Sequence, residues 1–270
     1  MLSFPLTAVF LCTSSPDCAT GLSAYLQSLP CGNSLNQCPA GITHVLWLTG
    51  SGLAIGPRDV EQRYGTRVDF SDPALLHRLK TSGKRQGIGK AVGLDKALAQ
   101  VSVCDATAGL GRDALVLAHL GCEVVLLERS PLIHALLADG MRRGALADEP
   151  QVREAVSRMQ LLNIDAKDYL AEILTGTRPA PEVITLDPMF PARQKTALVK
   201  KAMNTLQQLL GPDEDLDEVL ALARQCARRR VVVKRPPSQA DIAGEPPGFT
   251  LRSKAAHFAV YVNSSFASIR

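Results

Sequence analysis

Hydrophobic and polar positions follow two different rhythms along this chain. Over residues 1–75 the apolar residues keep no fixed period and are broken by Ser, Cys, Pro and Gly. Two short apolar runs stand out in THVLWLTGSGLAIG (Thr43–Gly56). The turn residues Gly50, Ser51 and Gly52 between them predict a hairpin. TRVDF (Thr66–Phe70) alternates and predicts a third strand. The expectation is a small β-containing N-terminal subdomain over 1–75, followed by a larger domain over 76–270.

From Ala97 the pattern becomes regular. VSVCDAT reads as a strand and GRDALVLAHLG as a helix. CEVVLLERS and PLIHALLADGMRRGA repeat that pair. MQLLNID and EVITLDP are further strands, with the helix AKDYLAEIL between them. ALVKKAMNTLQQLLG and DEDLDEVLALARQCARR read as helices and RRVVVKRPP as a strand. FTLRSK and HFAVYVN close the chain as an antiparallel pair. Strands separated by helices dictate a mostly parallel, doubly wound α/β sheet, here with an antiparallel C-terminal edge.

Composition narrows the class. With 270 residues, 46% of them hydrophobic, the chain can bury a full core. A net charge of +4 permits a polyanionic partner. The N-terminal MLSFPLTAVFLC lacks a basic leader segment and contains Pro5, and no apolar run reaches the length of a membrane span. A soluble, cytoplasmic protein with no membrane partner is expected. Of seven cysteines, Cys104, Cys122 and Cys226 sit in apolar surroundings and read as small core residues. Cys12/Cys18 and Cys31/Cys38 are spaced more widely than zinc ligands usually are, so reduced thiols and no metal are expected.

Chemistry concentrates at strand ends. In VCDATAGLGRDA a strand runs into Gly109 and Gly111 and then into a helix, which is where a backbone turns tightly and approaches a ligand. No phosphate-binding lysine follows, so the loop is not a P-loop. Asp105 just before it suits a ligand with a positive amino group, such as the amino-acid end of S-adenosylmethionine. Glu128 ends the next strand, seventeen residues after Gly111, where a carboxylate can accept from a ribose diol. Arg129 lies beside it, to flank an adenine or to pair with Glu128. Asp165 follows the third strand and is placed either to hold an adenine amino group or to cap the helix that follows. Asp187 ends the fourth. Ligands of open α/β sheets bind at that edge, and four acids there make it the candidate site.

The fourth strand carries the reaction. In VITLDPMFPARQK (Val183–Lys195) an acid is followed by a proline-stiffened turn and an aromatic. A nucleobase amine is a poor nucleophile because its lone pair is delocalised into the ring. Asp187 and a carbonyl of the Pro188 turn can hold such an amine in line with a methyl donor, and Phe190 can stack on the base.

These residues resemble the RsmJ-type small-subunit ribosomal RNA guanine-N2 methyltransferases. The similarity is carried by DATAGLGRDA, LER, DPMFPARQKTALVKKAM and VVVKRP, with HRLK and RQGIGKAVG ahead of the glycine loop, and runs from about Leu46 to the C-terminus. It implies a class I S-adenosylmethionine-dependent methyltransferase (Rossmann-like) fold and methyl transfer to the exocyclic amine of one guanosine in 16S rRNA, free or in the small subunit. It also implies that Arg112, Asp113, Glu128, Arg129 and Asp187 match cofactor-contacting positions, with Asp165 and Ala166 at the next. Locally, the basic stretch around Lys84, Arg85 and Lys90 reads as a solvated helix and loop. Beside the resemblance, it reads with Arg193, Lys195, Lys200, Lys201, Lys234 and Arg235 as a rim that contacts the phosphate backbone. The competing readings are an N-methyltransferase for a protein amide or small molecule, a non-catalytic RNA-binding assembly factor, and an NAD-dependent oxidoreductase. Asp105 and the DPMF turn disfavour the last.

Overall fold

The structure, a computed structural model, describes residues 9–13, 24–85, 87–96, 100–188, 215–236, 246–252 and 256–263. Phe190, Arg193, Lys195, Lys200, Lys201 and the segment ALVKKAMNTLQQLLG lie outside these residues. In chain order the elements are β1 (Val9–Thr13), α1 (Ala24–Gln27), β2 (Cys31–Gly32), β3 (His44–Thr49), β4 (Gly52–Pro57), α2 (Pro73–Thr81), α3 (Gly87–Ala91), β5 (Ser102–Asp105), α4 (Arg112–His119), β6 (Glu123–Leu127) and α5 (Pro131–Gly144). Then come α6 (Pro150–Val156), β7 (Met159–Leu162), α7 (Ala166–Leu174), β8 (Val183–Leu186), α8 (Leu216–Cys226), β9 (Arg230–Arg235), β10 (Phe249–Arg252) and β11 (His257–Val262).

Residue contacts divide the chain into two compact units. The first gathers the described residues up to Asp69 together with Ser130–Arg143. Its sheet runs β2-β1-β3-β4. The expected hairpin is β3–β4, antiparallel with Trp47 opposite Ala54. Sequence reading passed over β1, which pairs in parallel with both β2 and β3. An unbroken apolar run such as Val9-Phe10-Leu11-Cys12 has no period to betray it. Phe10, Cys38, Ile42, Val45, Trp47 and Ala54 form this unit's core.

The expected strand over Thr66–Phe70 reduces to a single bridge between Thr66 and Ile55. Thr66 and Val68 are buried alternately, which produced the strand-like pattern. The ladder stops because the Val68 carbonyl is taken by the Arg143 guanidinium of α5. Asp139 of the same helix accepts from Leu53 N–H (3.0 Å) and from Arg143 Nε (2.9 Å).

The second unit gathers Phe70–Arg129 and the described residues from Gly144 onward. Its seven strands run β10-β11-β9-β8-β5-β6-β7. β5 to β9 are mutually parallel, while β11 and β10 add the expected antiparallel edge. Val183–Leu186 of β8 are all buried, as a strand covered on both faces requires. Ala114–Ala118 of α4 are likewise all buried. Each leucine removed from water in this way contributes about 1.5–3 kcal/mol. Helix α6 was absent from the sequence reading. Pro150 looks like a breaker but is well tolerated at a first helical position, and seven residues are too few to show a period. The expected helices α4, α5, α7 and α8 all form.

In the parallel part of this sheet the chain moves outward from β5 to β6 and β7, then returns to β8 on the other side of β5. The order therefore reverses between β5 and β8, the place where an open α/β sheet leaves a crevice. Across it Asp105 stands opposite Thr185.

Gly140 in α5 tests the packing of the first unit. A Cβ there would run into the Val68 side chain. Alanine is favoured over glycine in a helix by about 1 kcal/mol, whereas overpacking costs about 1–3 kcal/mol. Gly140→Ala is expected to lower stability by up to about 2 kcal/mol in urea denaturation; a stabilised variant would contradict the packing described.

Candidate active site

Four parallel strands of the second unit deliver the sequence-predicted acids. Asp105 is the last residue of β5, Glu128 follows β6, Asp165 lies three residues beyond β7, and Asp187 follows β8. Asp105 and Asp187 line one small pocket, open to solvent, with Asp113, Thr185 and Lys234. Ile88, Leu186, Val232 and Phe258 complete its wall.

The glycine loop is built by backbone pairing. Ala106 N–H donates to Thr185 O (3.0 Å) and Ala108 N–H to Leu127 O (3.1 Å), so the chain leaving β5 is pinned to both neighbouring strands. Gly109 and Gly111 then adopt φ of 52° and 71°, in the left-handed region that glycine enters without strain. Gly111 caps α4. Gly109 N–H donates to Glu128 Oε2 (3.1 Å), which joins the loop to the end of β6. Thr107 makes the other junction: its Oγ1 accepts from Asp187 N–H (2.6 Å). Sequence reading did not single out this threonine, whose partner lies 80 residues away.

Charge at the pocket is concentrated and nearly balanced. Lys234 Nζ donates to Asp187 Oδ2 (2.6 Å) and to Asp113 Oδ2 (2.7 Å). Arg78 of α2 pairs with the other oxygen of Asp113. Burial raises the Asp113 carboxyl, but Lys234 and Arg78 outweigh it and hold the group below the usual range. For Asp187 burial prevails over Lys234, with Asp113 adding repulsion, and the carboxyl stays above the usual range. The Asp187 side chain keeps 45% of its surface open, so water limits that rise. Burial disfavours the Lys234 ammonium, yet its two carboxylates hold it above the usual lysine range. Asp105 is almost fully enclosed and is pushed up to about 7, by burial first and by Asp113 and Asp187 next.

This arrangement corrects one expectation. Lys234 does not stand on a basic rim, because its ammonium is committed to two acids inside the pocket, and Arg235 is buried. Lys84, Arg85 and Lys90 are exposed, and Ile88 between them reaches the pocket wall. Arg112 is exposed and pairs with Asp72 at 3.4 Å. Arg129 pairs with Asp215 (3.1 Å) and more distantly with Asp165 (3.8 Å). Asp165 caps α7 by accepting from Lys167 N–H (2.8 Å), the capping alternative foreseen for it, and Ala166 is the buried first residue of that helix. Pro188 is buried beside Asp187.

A family model of SAM-dependent methyltransferases matches residues 34–263. A protein of Aeromonas hydrophila named ribosomal RNA small subunit methyltransferase J is 48% identical over 225 residues, covering 82% of this chain and 88% of the relative. One of the same name from Yersinia enterocolitica is 47% identical over 220 residues, covering 80% and 84%. The crystal structure of a SAM-dependent methyltransferase from Neisseria gonorrhoeae superposes with a TM-score of 0.71 at 30% identity, covering 95% of this chain and 96% of that one. The chain belongs to the SAM-dependent methyltransferase family. Its fold is accordingly the class I, Rossmann-like one, and its methyl donor is S-adenosylmethionine.

The pocket's own features fit that molecule. The buried Asp105 suits an ammonium group. Thr185 Oγ1, buried in the pocket wall, has no hydrogen-bond partner among the described residues. The glycine loop presents backbone without Cβ atoms at two positions.

The raised pKa of Asp105 has a measurable consequence. Its folded-state value lies above the unfolded one near 3.8, so its contribution to stability is complete below pH ~4 and is lost as pH rises through 7. Asp105→Asn removes that loss. The stability of Asp105→Asn relative to wild type should rise by about 2–3 kcal/mol between pH 5 and 8 in the ligand-free protein, at ~1.4 kcal/mol per pH unit below the pKa. A difference independent of pH would place Asp105 in a solvated setting instead.

Proposed function

We propose that this protein transfers a methyl group from S-adenosylmethionine to the exocyclic N2 of a guanosine in small-subunit (16S) ribosomal RNA. The observation that carries the reading is that Asp187, followed by the buried Pro188, and the buried Asp105 line one pocket at the reversal point of the sheet. The relatives named for small-subunit rRNA methylation support RNA as the substrate. The soluble-type composition and the choice of substrate point to the cytoplasm as the setting.

In this reading Asp105 takes the ammonium of the donor, and Gly109 and Gly111 let the loop lie close to it. Glu128 would hold the ribose hydroxyls, Asp165 and Ala166 the adenine, and Arg112, Asp113 and Arg129 would complete the cofactor site. Bound S-adenosylmethionine would supply an electrophilic methyl with a neutral sulfide as its leaving group, and the methylated N2 would lose one proton to water. Asp187 accepts a hydrogen bond from the N2 amine and holds it in line. Thr107 and Pro188 fix the backbone that carries the carboxylate. Phe190, outside the described residues, is assigned to stack on the base. Lys84, Arg85 and Lys90, with Arg193 and Lys195, contact the RNA backbone.

Two experiments test this. Asp187→Ala should leave S-adenosylmethionine binding within about tenfold of wild type while kcat on small-subunit RNA falls at least ~100-fold, the scale lost with one positioned catalytic hydrogen bond. Asp187→Asn, which keeps a carbonyl acceptor, should retain part of the activity. Full turnover by Asp187→Ala would sink the assignment. Reversing the charges of Lys84 and Arg85 should raise the KM for RNA and flatten its salt dependence, because fewer counterions are released on binding. An unchanged salt slope would make those residues merely solvated.

A further inference from the structure

Lys234 has the most demanding place in the pocket, and the reading of Asp187 above gives it no task. It lies on β9, the strand next to β8 and away from the glycine loop. Its ammonium bridges an acid on α4 and an acid after β8. A lysine that only satisfied Asp113 would be redundant, because Arg78 already pairs with that carboxylate. Asp187, in contrast, has Lys234 as its ion-pair partner among the described residues. Three acids, Asp105, Asp113 and Asp187, converge here, and Asp113 repels Asp187 if it ionises. A carboxylic acid that carried its proton would present a donor towards the target amine on one oxygen, where an acceptor is needed.

We propose that Lys234 is a positioning residue for methyl transfer: by bridging Asp113 and Asp187 it keeps the Asp187 carboxylate ionised and turned so that Oδ1 accepts from the incoming amine while Oδ2 stays on the ammonium. The inference rests on the proposed role of Asp187. Lys234 is itself held protonated, so it acts as a fixed cation and not as the base that removes the amine proton. The same cation stands near the site of a cationic donor, and its pairing with two acids limits repulsion there.

The groups facing Asp187 set the expected pH behaviour. They are Asp105 at the end of β5, Asp113 on α4, Arg78 on α2 and Lys234 on β9. Lys234 and Arg78 favour the ionised form, whereas Asp113 and burial oppose it. Removing Lys234 moves the Asp187 titration to higher pH, and the acidic limb of kcat follows. Asp105 is pushed up to about 7 but acts on donor binding, so at saturating S-adenosylmethionine it leaves kcat unaffected.

The test is methylation of small-subunit RNA at saturating S-adenosylmethionine between pH 5.5 and 9, with donor affinity measured by calorimetry. Lys234→Met should lower kcat at least tenfold at pH 7 and move the acidic limb upward by about one pH unit or more. The donor Kd and the KM for RNA should change by less than threefold. Lys234→Arg should restore the limb to its wild-type position. If Lys234→Met fails to fold, Lys234→Gln carries the same expectation. An unmoved acidic limb in a folded variant overturns the inference, as does a loss that appears wholly in donor Kd. Wild-type activity in Asp187→Ala would sink the underlying reading of the turn, whereas a Lys234-indifferent enzyme that still depends on Asp187 would sink this inference alone.

Discussion

The site depends on one ammonium placed between two carboxylates. Asp113 and Asp187 come from different elements, and Lys234 Nζ lies within 2.7 Å of both. Unit charges ~4 Å apart interact by on the order of 4 kcal/mol at an effective dielectric of ~20. That is enough to hold two acids together that would otherwise be driven apart or protonated. Asp105 has no ion pair among the described residues and is enclosed beside the same acids, and its carboxyl is pushed up to about 7. Two similar side chains in one pocket are thus held differently, Asp187 by an ammonium and Asp105 by enclosure.

Backbone geometry brings these charges together before any ligand arrives. Five parallel strands aim their carboxyl ends at one edge, and the reversal between β5 and β8 opens the crevice there. The loop after β5 is tied on one side to Glu128 through Gly109 N–H and on the other to Asp187 through Thr107. A donor lying on this loop would therefore touch the same framework that carries Asp187. In the proposed reaction, orientation of amine against methyl would be a property of the sheet.

Much of this was legible in the sequence, for local reasons. Strands β5, β6, β8 and β9 carry the β-branched apolar residues that mark a buried strand, and Asp105, Glu128, Asp165 and Asp187 each lie at a strand end or within a few residues of one. Gly109 and Gly111 mark a turn whatever surrounds them. Lys234 was misjudged because its meaning is not local: its partners lie 47 and 121 residues away, and a lysine at a strand end beside an arginine looks like surface. Thr107 was missed for the same reason. Strand β1 escaped because an apolar run carries no period, and the alternation of Thr66 and Val68 misled because burial alternated without a ladder to accompany it. Pairing is a tertiary fact, and the functional electrostatics here consist almost entirely of pairing.

The central claim is that the carboxylate after β8 directs methylation of small-subunit RNA at guanine N2. Its most direct test is mass mapping of nucleosides in small-subunit rRNA from cells carrying the wild-type gene, no gene, or an Asp187→Ala allele expressed at equal level. The account predicts one N2-methylguanosine present with the wild type and lost in both of the others. An unchanged methylation map in cells without the gene, or a full mark laid down by the Asp187→Ala protein, would contradict it.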